Sequence, residues 1–149
     1  MRVRGYKETL AALKNFGRDG ENLIKDITVS GGHEIAEKAK ENFRNVADGL
    51  DPTGTIMRSI NFKPENNGFK AVISVNQLPM GAYIEFGTGV FVEVDPEWKD
   101  IAWQFYVNGM GQLHAHPYFY PAFDEGREKY MRDLKDALEH LTRRYNSRR

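Results

Sequence analysis

Hydrophobic residues repeat at helical spacing over the first third of the chain. One set predicts a short helix over residues 5–16 and consists of Leu10, Leu13 and Phe16. Gly17 and Gly20 interrupt the pattern, and a longer helix is predicted from about Glu21 to Ala47. Paired glycines carry little helix propensity, so Gly31-Gly32 is expected to bend or split this helix. Its apolar stripe, opposite a face of lysines and glutamates, comprises Leu23, Ile27, Ile35, Ala39, Phe43 and Val46.

The middle of the chain changes to an alternating pattern that is typical of β-strands. Two strands are predicted, over residues 55–62 and 69–76. Their apolar residues are Ile56, Ile60 and Phe62 in the first, and Val72, Ile73 and Val75 in the second. Residues 64–68 supply turn chemistry between them, which predicts an antiparallel hairpin. Asp51-Pro52 marks a turn before the hairpin, because the residue before a proline avoids the helical region.

Residues 82–87 are predicted as a third strand. Alternation would place Ala82, Ile84 and Phe86 on one face and Tyr83 and Glu85 on the other. Residues 90–116, which hold both tryptophans and the sequence "NGMG", are interpreted as a long excursion with room for a short helix.

The last part of the chain predicts a helix from Pro121 to about Tyr145. Pro121 suits the first turn, where its missing N–H costs nothing. The apolar residues that follow a three-four spacing are Phe123, Tyr130, Leu134, Ala137, Leu138, Leu141 and Tyr145. Residues 143–149 hold four arginines and are predicted as a flexible basic tail. The element order predicts one α+β domain over residues 1–149, a small antiparallel sheet with N-terminal helices and a long C-terminal helix packed on it.

Composition narrows the classes of function. The chain has 149 residues, and its 21 basic and 21 acidic side chains cancel, so no global field attracts DNA or an anionic membrane. The absence of cysteine excludes disulfides, thiolate metal sites and a cysteine nucleophile. No stretch approaches the roughly 18 apolar residues of a membrane helix, and the first residues do not resemble a signal peptide. A soluble protein made in the cytoplasm is expected.

The segment "GAYIEFGTGV" (81–90) allows three interpretations. A phosphate-binding loop would need more glycines and a Lys-Ser/Thr pair that opens a helix, whereas Val90 follows here. Glu85 could serve as a general acid or base, but no second catalytic group accompanies it. The favoured interpretation of Glu85 is a strand residue that faces solvent, a partner chain or an arginine such as Arg58. No cofactor and no catalytic residue are predicted.

Two further features suggest binding sites. The imidazoles of His114 and His116 share one side of an extended backbone, which can begin a metal site, but a third ligand is not evident. A small metal-dependent enzyme that uses both histidines therefore remains an alternative. The arginine-rich end could contact nucleic acid through phosphates, but it lacks an aromatic platform beyond Tyr145, so a solvated tail is favoured.

Three segments in this order are distinctive: "DPTGTIMRSI" (51–60), "GAYIEFGTG" (81–89) and "AHPYFYPAFDEG" (115–126). Together they resemble the HK97-type, gene-product-ten-like tail-component family of tailed bacteriophages. The matching residues are Thr53-Gly54, Arg58-Ser59-Ile60, Tyr83, Glu85 to Gly89, Pro117 and Pro121-Ala122. Met57 stands where the family often has leucine, and Tyr118-Phe119 replaces a Phe-Leu type of pair; both changes conserve apolar bulk.

The resemblance implies a structural virion protein at the head–tail junction. It would complete or cap the tail and join it to the DNA-filled head as part of a homo-oligomeric, hexameric ring, with assembly in the host cytoplasm. The implied partners are the tail-tube protein and the head-completion protein of the neck, without a membrane or a specific nucleic acid. A tail terminator that controls tube length is the alternative within the family. The implied assembly or packing residues are Arg58, Tyr83, Glu85, Phe86, Gly87, Thr88, Gly89, Pro117, Tyr118, Phe119 and Pro121.

Overall fold

The computed structural model describes residues 6–77, 79–91, 96–100, 103 and 113–147. The fold in these residues is α+β, as predicted: long first and last helices pack with a two-stranded antiparallel sheet. Two short helices flank the sheet in the sequence. The elements are α1 (Tyr6–Val46), α2 (Thr55–Ser59), β1 (Ile60–Glu65), β2 (Lys70–Val75), α3 (Met80–Phe86) and α4 (Phe119–Asn146).

Helix α1 is continuous over 41 residues, so the prediction of two helices separated at Gly17 and Gly20 is wrong. Gly31 and Gly32 do not split it either. A Cβ on Gly32 would lie 2.6 Å from Cε2 of Phe62, and one on Gly31 would lie 3.3 Å from Cδ2 of Tyr130. The missing side chains let the hairpin and α4 approach α1. Tertiary packing therefore outweighs a propensity cost of about 1 kcal/mol per glycine.

Replacing Gly32 with alanine is expected to lower the free energy of unfolding by about 1–3 kcal/mol, because the new methyl group overlaps the hairpin. Gly17→Ala is the matched control, since no atom lies within 4 Å of a Cβ at that position. The control should gain up to about 1 kcal/mol from helix propensity. Denaturant unfolding of both variants measures the difference, and equal stabilities would rule out close packing at Gly32.

The predicted antiparallel hairpin is confirmed. The register pairs Ile60 with Val75 at one end and Glu65 with Lys70 at the other. Residues 66–68 form the connection as a short 3-10 turn. Asn66 and Asn67 have φ angles of 49° and 55°, in the left-handed region that asparagine tolerates better than most residues.

The first predicted strand begins five residues too early, because residues 55–59 form α2. The Asp51 carboxylate accepts the N–H groups of Thr55 at 2.9 Å and Met57 at 3.0 Å. These bonds satisfy donors that have no partner at the start of a helix. Ile56 and Ile60, four residues apart, are both buried, so the spacing fits this helical turn as well as a strand.

The predicted third strand is wrong, since residues 80–86 form helix α3. Short apolar runs fit a strand or a buried helix equally well. The buried residues Gly81, Ile84 and Glu85 instead follow helical spacing. Gly81 also permits a close approach, since a Cβ there would lie 2.9 Å from Cγ1 of Val75 in β2.

The predicted C-terminal helix is confirmed and runs antiparallel along α1. The Thr28 and Tyr130 hydroxyls lie 3.2 Å apart, and at the other end the Phe16 and Tyr145 rings meet edge to face with centroids 5.2 Å apart. A flexible tail was predicted from residue 143, whereas α4 continues through Asn146. None of the described helices is both long and apolar enough to cross a membrane.

The core lies where α1, α2, β1, α3 and the start of α4 meet. It consists of Ala39, Phe43, Ala47, Ile56, Ile60, Ile84, Tyr118 and Ala122. Within the predicted excursion 90–116, residues 89–91 and 96–98 form 3-10 turns. Residues 92–95, 101, 102 and 104–112 lie outside the described part.

Candidate functional site

Two segments that are distant in the sequence meet at the start of α4, and we call them the cap region: residues 81–89 and 113–122. Ile84 from the first segment and Tyr118 and Ala122 from the second lie in the same buried cluster. Ile56 and Ile60, from the segment that carries the first part of the family resemblance, complete that cluster. All three resembling segments therefore contribute to one region of the core.

The Glu85 carboxylate lies at the centre of the cap region and is only 4% exposed. Its Oε2 accepts the N–H groups of Tyr118 and Phe119, both at 2.8 Å, and its Oε1 accepts the N–H of Tyr120 at 2.9 Å. These donors lie at the start of α4, where they have no partner within the helix. Glu85 thus caps α4 from more than thirty residues away, with its carboxylate at the positive end of the helix dipole.

This geometry corrects the predicted environment of Glu85. It is a buried helix residue and not a strand residue that faces solvent, a partner chain or Arg58. Arg58 lies exposed on α2, and its Nη1 lies near Gly54. Both Glu85 oxygens already accept backbone N–H groups, so the arrangement suits a structural cap better than proton transfer to a substrate.

Burial raises the pKa of the Glu85 carboxyl above its ordinary value, and the three backbone N–H bonds oppose this rise. Burial also raises the pKa of the Tyr118 hydroxyl, and the nearby Glu85 charge adds to that effect. The Tyr118 hydroxyl consequently stays protonated and donates to the Gly81 carbonyl at 3.2 Å.

The raised Glu85 pKa predicts a pH dependence of stability. Because the folded state binds this proton more tightly than the unfolded chain, protonation favours folding. The contribution of Glu85 to stability is therefore fully present below the unfolded pKa and is lost as pH rises through the folded pKa. Relative to Glu85→Gln, which cannot titrate, the wild type should gain stability as pH falls through this window. Urea titrations at several pH values measure the difference, and the opposite slope would mean that the N–H bonds outweigh burial.

Gly87 allows a sharp turn directly after α3. Its φ of 75° and ψ of −170° lie in a region that is essentially restricted to glycine. A Cβ there would collide with the carbonyl oxygen of Phe91 and lie 2.8 Å from the N atom of Ala115. A sharp turn and a close backbone approach therefore both require glycine at this position.

Thr88 joins this turn to the chain that leads into α4. Its N–H donates to the Leu113 carbonyl at 2.9 Å, and its Oγ1 accepts the Leu113 N–H at 3.2 Å. Three residues after Leu113, the His116 N–H donates to the Ile84 carbonyl at 2.7 Å. These bonds hold residues 113–116 beside α3 and set the direction in which α4 begins.

Tyr118 connects the cap region to α1. Its ring packs edge to face on Phe43, with centroids 4.8 Å apart, and its carbonyl accepts a bond from Nδ2 of Asn42 at 3.2 Å. Sequence reasoning missed Asn42 and Gly81 as members of this arrangement. The sequence gives one indication for Asn42: it is a polar residue that directly precedes Phe43 in the apolar stripe of a long helix.

The cap region includes all the predicted assembly or packing residues except Arg58. Glu85, Phe86, Gly87, Gly89 and Tyr118 are buried, and the half-buried members are Tyr83, Thr88, Pro117, Phe119 and Pro121. An open groove of about 330 Å³ lies beside them, with mainly apolar walls formed by β2, α3, Trp98 and the start of α4. These walls suit the burial of apolar side chains from a partner.

The two candidate metal ligands, His114 and His116, lie in the segment that leads into α4. His114 is exposed, and its ring packs on Phe91 with centroids 4.0 Å apart. Among the described residues, His, Asp and Glu side chains do not gather in groups of three that could hold a metal ion. The "FGTG" loop leads into a single 3-10 turn, which does not provide the α-helical N-terminus that a phosphate loop uses.

The cap region is thus a structural arrangement of one carboxylate, backbone N–H groups and packed aromatic rings. Comparisons with protein-family models, curated proteins and solved structures find no match for this chain. A function is therefore inferred from the geometry and from the sequence resemblance alone.

Proposed function

We propose that this chain is a structural virion protein of the bacteriophage neck, which completes or caps the tail and joins it to the DNA-filled head within an oligomeric ring. The observation that supports the proposal is the convergence of the three resembling segments. Residues 51–60, 81–89 and 115–126 are distant in sequence, yet their apolar residues share one core. Shared packing gives a physical reason for these segments to occur together.

The neighbouring surface also suits assembly. The apolar groove beside Phe86, Trp98 and Tyr120 is open, and the cap region behind it is held by buried hydrogen bonds. A rigid support lowers the entropy cost of ordering an interface on binding. In a ring, the groove of each subunit would receive apolar side chains from its neighbour. Such a head-to-tail contact repeats around the rotation axis until the ring closes.

The experiment is electron microscopy of a lysate from the parent phage with this gene switched off. Filled heads beside separate tails of normal length would support completion and joining. Overlong tails would establish the terminator alternative within the neck. Intact, infectious virions would overturn the proposal.

Complementation from a plasmid makes the test specific to the cap region. The wild-type gene should restore joined particles, and Gly87→Val should fail because its side chain collides with the backbone. Gly49→Ala is the matched control, since Gly49 has a similar φ of 74° but no atom within 4 Å of a Cβ. Rescue by Gly87→Val at normal protein levels would exclude a role for this turn.

A further inference from the structure

The zero net charge of the chain conceals a strong separation of charge. Residues 1–18 contain five basic side chains and one acidic, a net charge of +4, and residues 143–149 contain four arginines and no acid, again +4. The remaining residues 19–142 contain 12 basic and 20 acidic side chains, a net charge of −8. Both chain ends therefore carry a net positive charge, and the segment between them carries a net negative charge.

The fold brings the described parts of these two segments, residues 6–18 and 143–147, to the same end of the molecule. Phe16 packs on Tyr145, and Asp19 accepts bonds from the Tyr145 hydroxyl at 2.7 Å and from Nη2 of Arg144 at 3.2 Å. Helix α1 then continues for ten residues on the N-terminal side of Phe16. We call residues 6–18 the basic arm.

Three basic side chains line one face of the basic arm. Lys7, Lys14 and Arg18 are spaced by seven and four residues, which places them in one row along a helix. All three are exposed, and none forms an ion pair with another described residue. Phe16, which packs on α4, lies on the opposite side of the helix.

The like charges of this row destabilise the helix in the isolated protein. Like charges four residues apart, as in Lys14 and Arg18, destabilise a helix by about 0.2–0.5 kcal/mol. The basic residues of the body are arranged differently: Lys25 pairs with Glu21, and Lys40 pairs with Glu37. The basic arm therefore presents uncompensated positive charge that an external anion would stabilise.

We propose that the basic arm binds the phosphate backbone of duplex DNA without reading its sequence. The row extends for about 16 Å along the helix axis, and a duplex carries one negative charge for about every 1.7 Å. Lysine and arginine contacts to phosphate give affinity and orientation but no base recognition. Arg143 and Arg144 lie at the same end, where they pair with Glu139 and Asp19. This binding goes beyond the proposed neck function and does not rest on it.

Two other occupants fit the arm less well. A membrane-bound helix needs a continuous apolar face, whereas Leu10 and Leu13 are exposed among the described side chains of the arm and Phe16 packs on Tyr145. A second copy fits less well because many carboxylates of its body already pair with basic side chains, such as Glu34 with Lys129 and Glu37 with Lys40.

The test uses the full chain and a fluorescent random-sequence 30-base-pair duplex, titrated between 50 and 200 mM salt. The arm variant combines Lys7→Gln, Lys14→Gln and Arg18→Gln. The matched control combines Arg127→Gln, Arg132→Gln and Lys135→Gln, which changes net charge equally on the exposed side of α4. Glutamine has nearly the helix propensity of lysine and arginine, so both variants should fold, as circular dichroism will verify.

The wild type should bind with an affinity that falls steeply with salt. The arm variant should bind more than about tenfold more weakly, with a slope of log affinity against log salt about 2.7 units shallower, because three phosphate contacts are lost. The control should retain the wild-type slope. Three results would overturn the proposal: no binding by the wild type, equal loss in both variants, or an arm-dependent interaction seen only with anionic lipid vesicles or between copies of the chain.

Discussion

Replacement of Gly87 by alanine is expected to lower the free energy of unfolding by about 3–5 kcal/mol, enough to unfold a marginal domain. Two effects combine. The backbone angles at Gly87 are essentially restricted to glycine, and a Cβ would overlap the carbonyl oxygen of Phe91 and crowd the N atom of Ala115. Neither neighbour is the flexible end of a side chain, so the clash cannot relax locally. Thermal and urea unfolding of the purified variant measure the loss.

Gly49→Ala separates the two effects. Its φ of 74° nearly equals that of Gly87, but a Cβ at Gly49 would meet nothing within 4 Å. It should therefore cost only what a positive φ costs an alanine, about 1–2 kcal/mol. If both variants lose the same amount, neither the close backbone approach nor the ψ of −170° at Gly87 adds to that cost.

Glu85→Ala is expected to lower the free energy of unfolding by about 3 kcal/mol or more. It leaves three N–H groups at the start of α4 without their acceptor, and that of Tyr118 lies in the buried core. Hydrogen exchange should show the loss as faster exchange at Tyr118, Phe119 and Tyr120 than in the middle of α4.

Glu85→Gln is the matched control because it keeps the shape and one acceptor oxygen. Its loss should be smaller than that of alanine, since burial of a neutral amide avoids the cost of burying a charge. A Glu85→Ala protein that loses less than about 1 kcal/mol would mean that water replaces the carboxylate as the cap. The cap region would then be held by packing alone.

The long helices and the hairpin could be predicted because their signals are local. Helix α4 has an apolar stripe over many turns, and the hairpin has two β-rich segments around a turn sequence. The continuity of α1 was harder to predict. Gly31 and Gly32 are unfavourable for an isolated helix, and only contacts with Tyr130 and Phe62 reveal that their small size is needed.

The two misassigned segments are short and apolar. In such segments the hydrophobic pattern does not distinguish a helix from a strand. Asp51 caps the helix of residues 55–59, and the helix of residues 80–86 places Gly81 against Val75; both partners lie outside the misassigned segments. The identity of Glu85 as an unusual residue was visible in the sequence. Its role was not, because its three partners lie more than thirty residues away.

The length of α1 has a mechanical consequence. From Asn42, which bonds to Tyr118, to Lys7 in the basic arm, the helix forms a rod of about 52 Å. Helix α4 packs on this rod as far as Phe16, and Lys7 and residues 10–15 on its N-terminal side are exposed. If α1 and α4 tilted together by about 5° where they meet at Tyr118, Lys7 would move by about 4.5 Å, so small adjustments in the core become large displacements at the end of the helix.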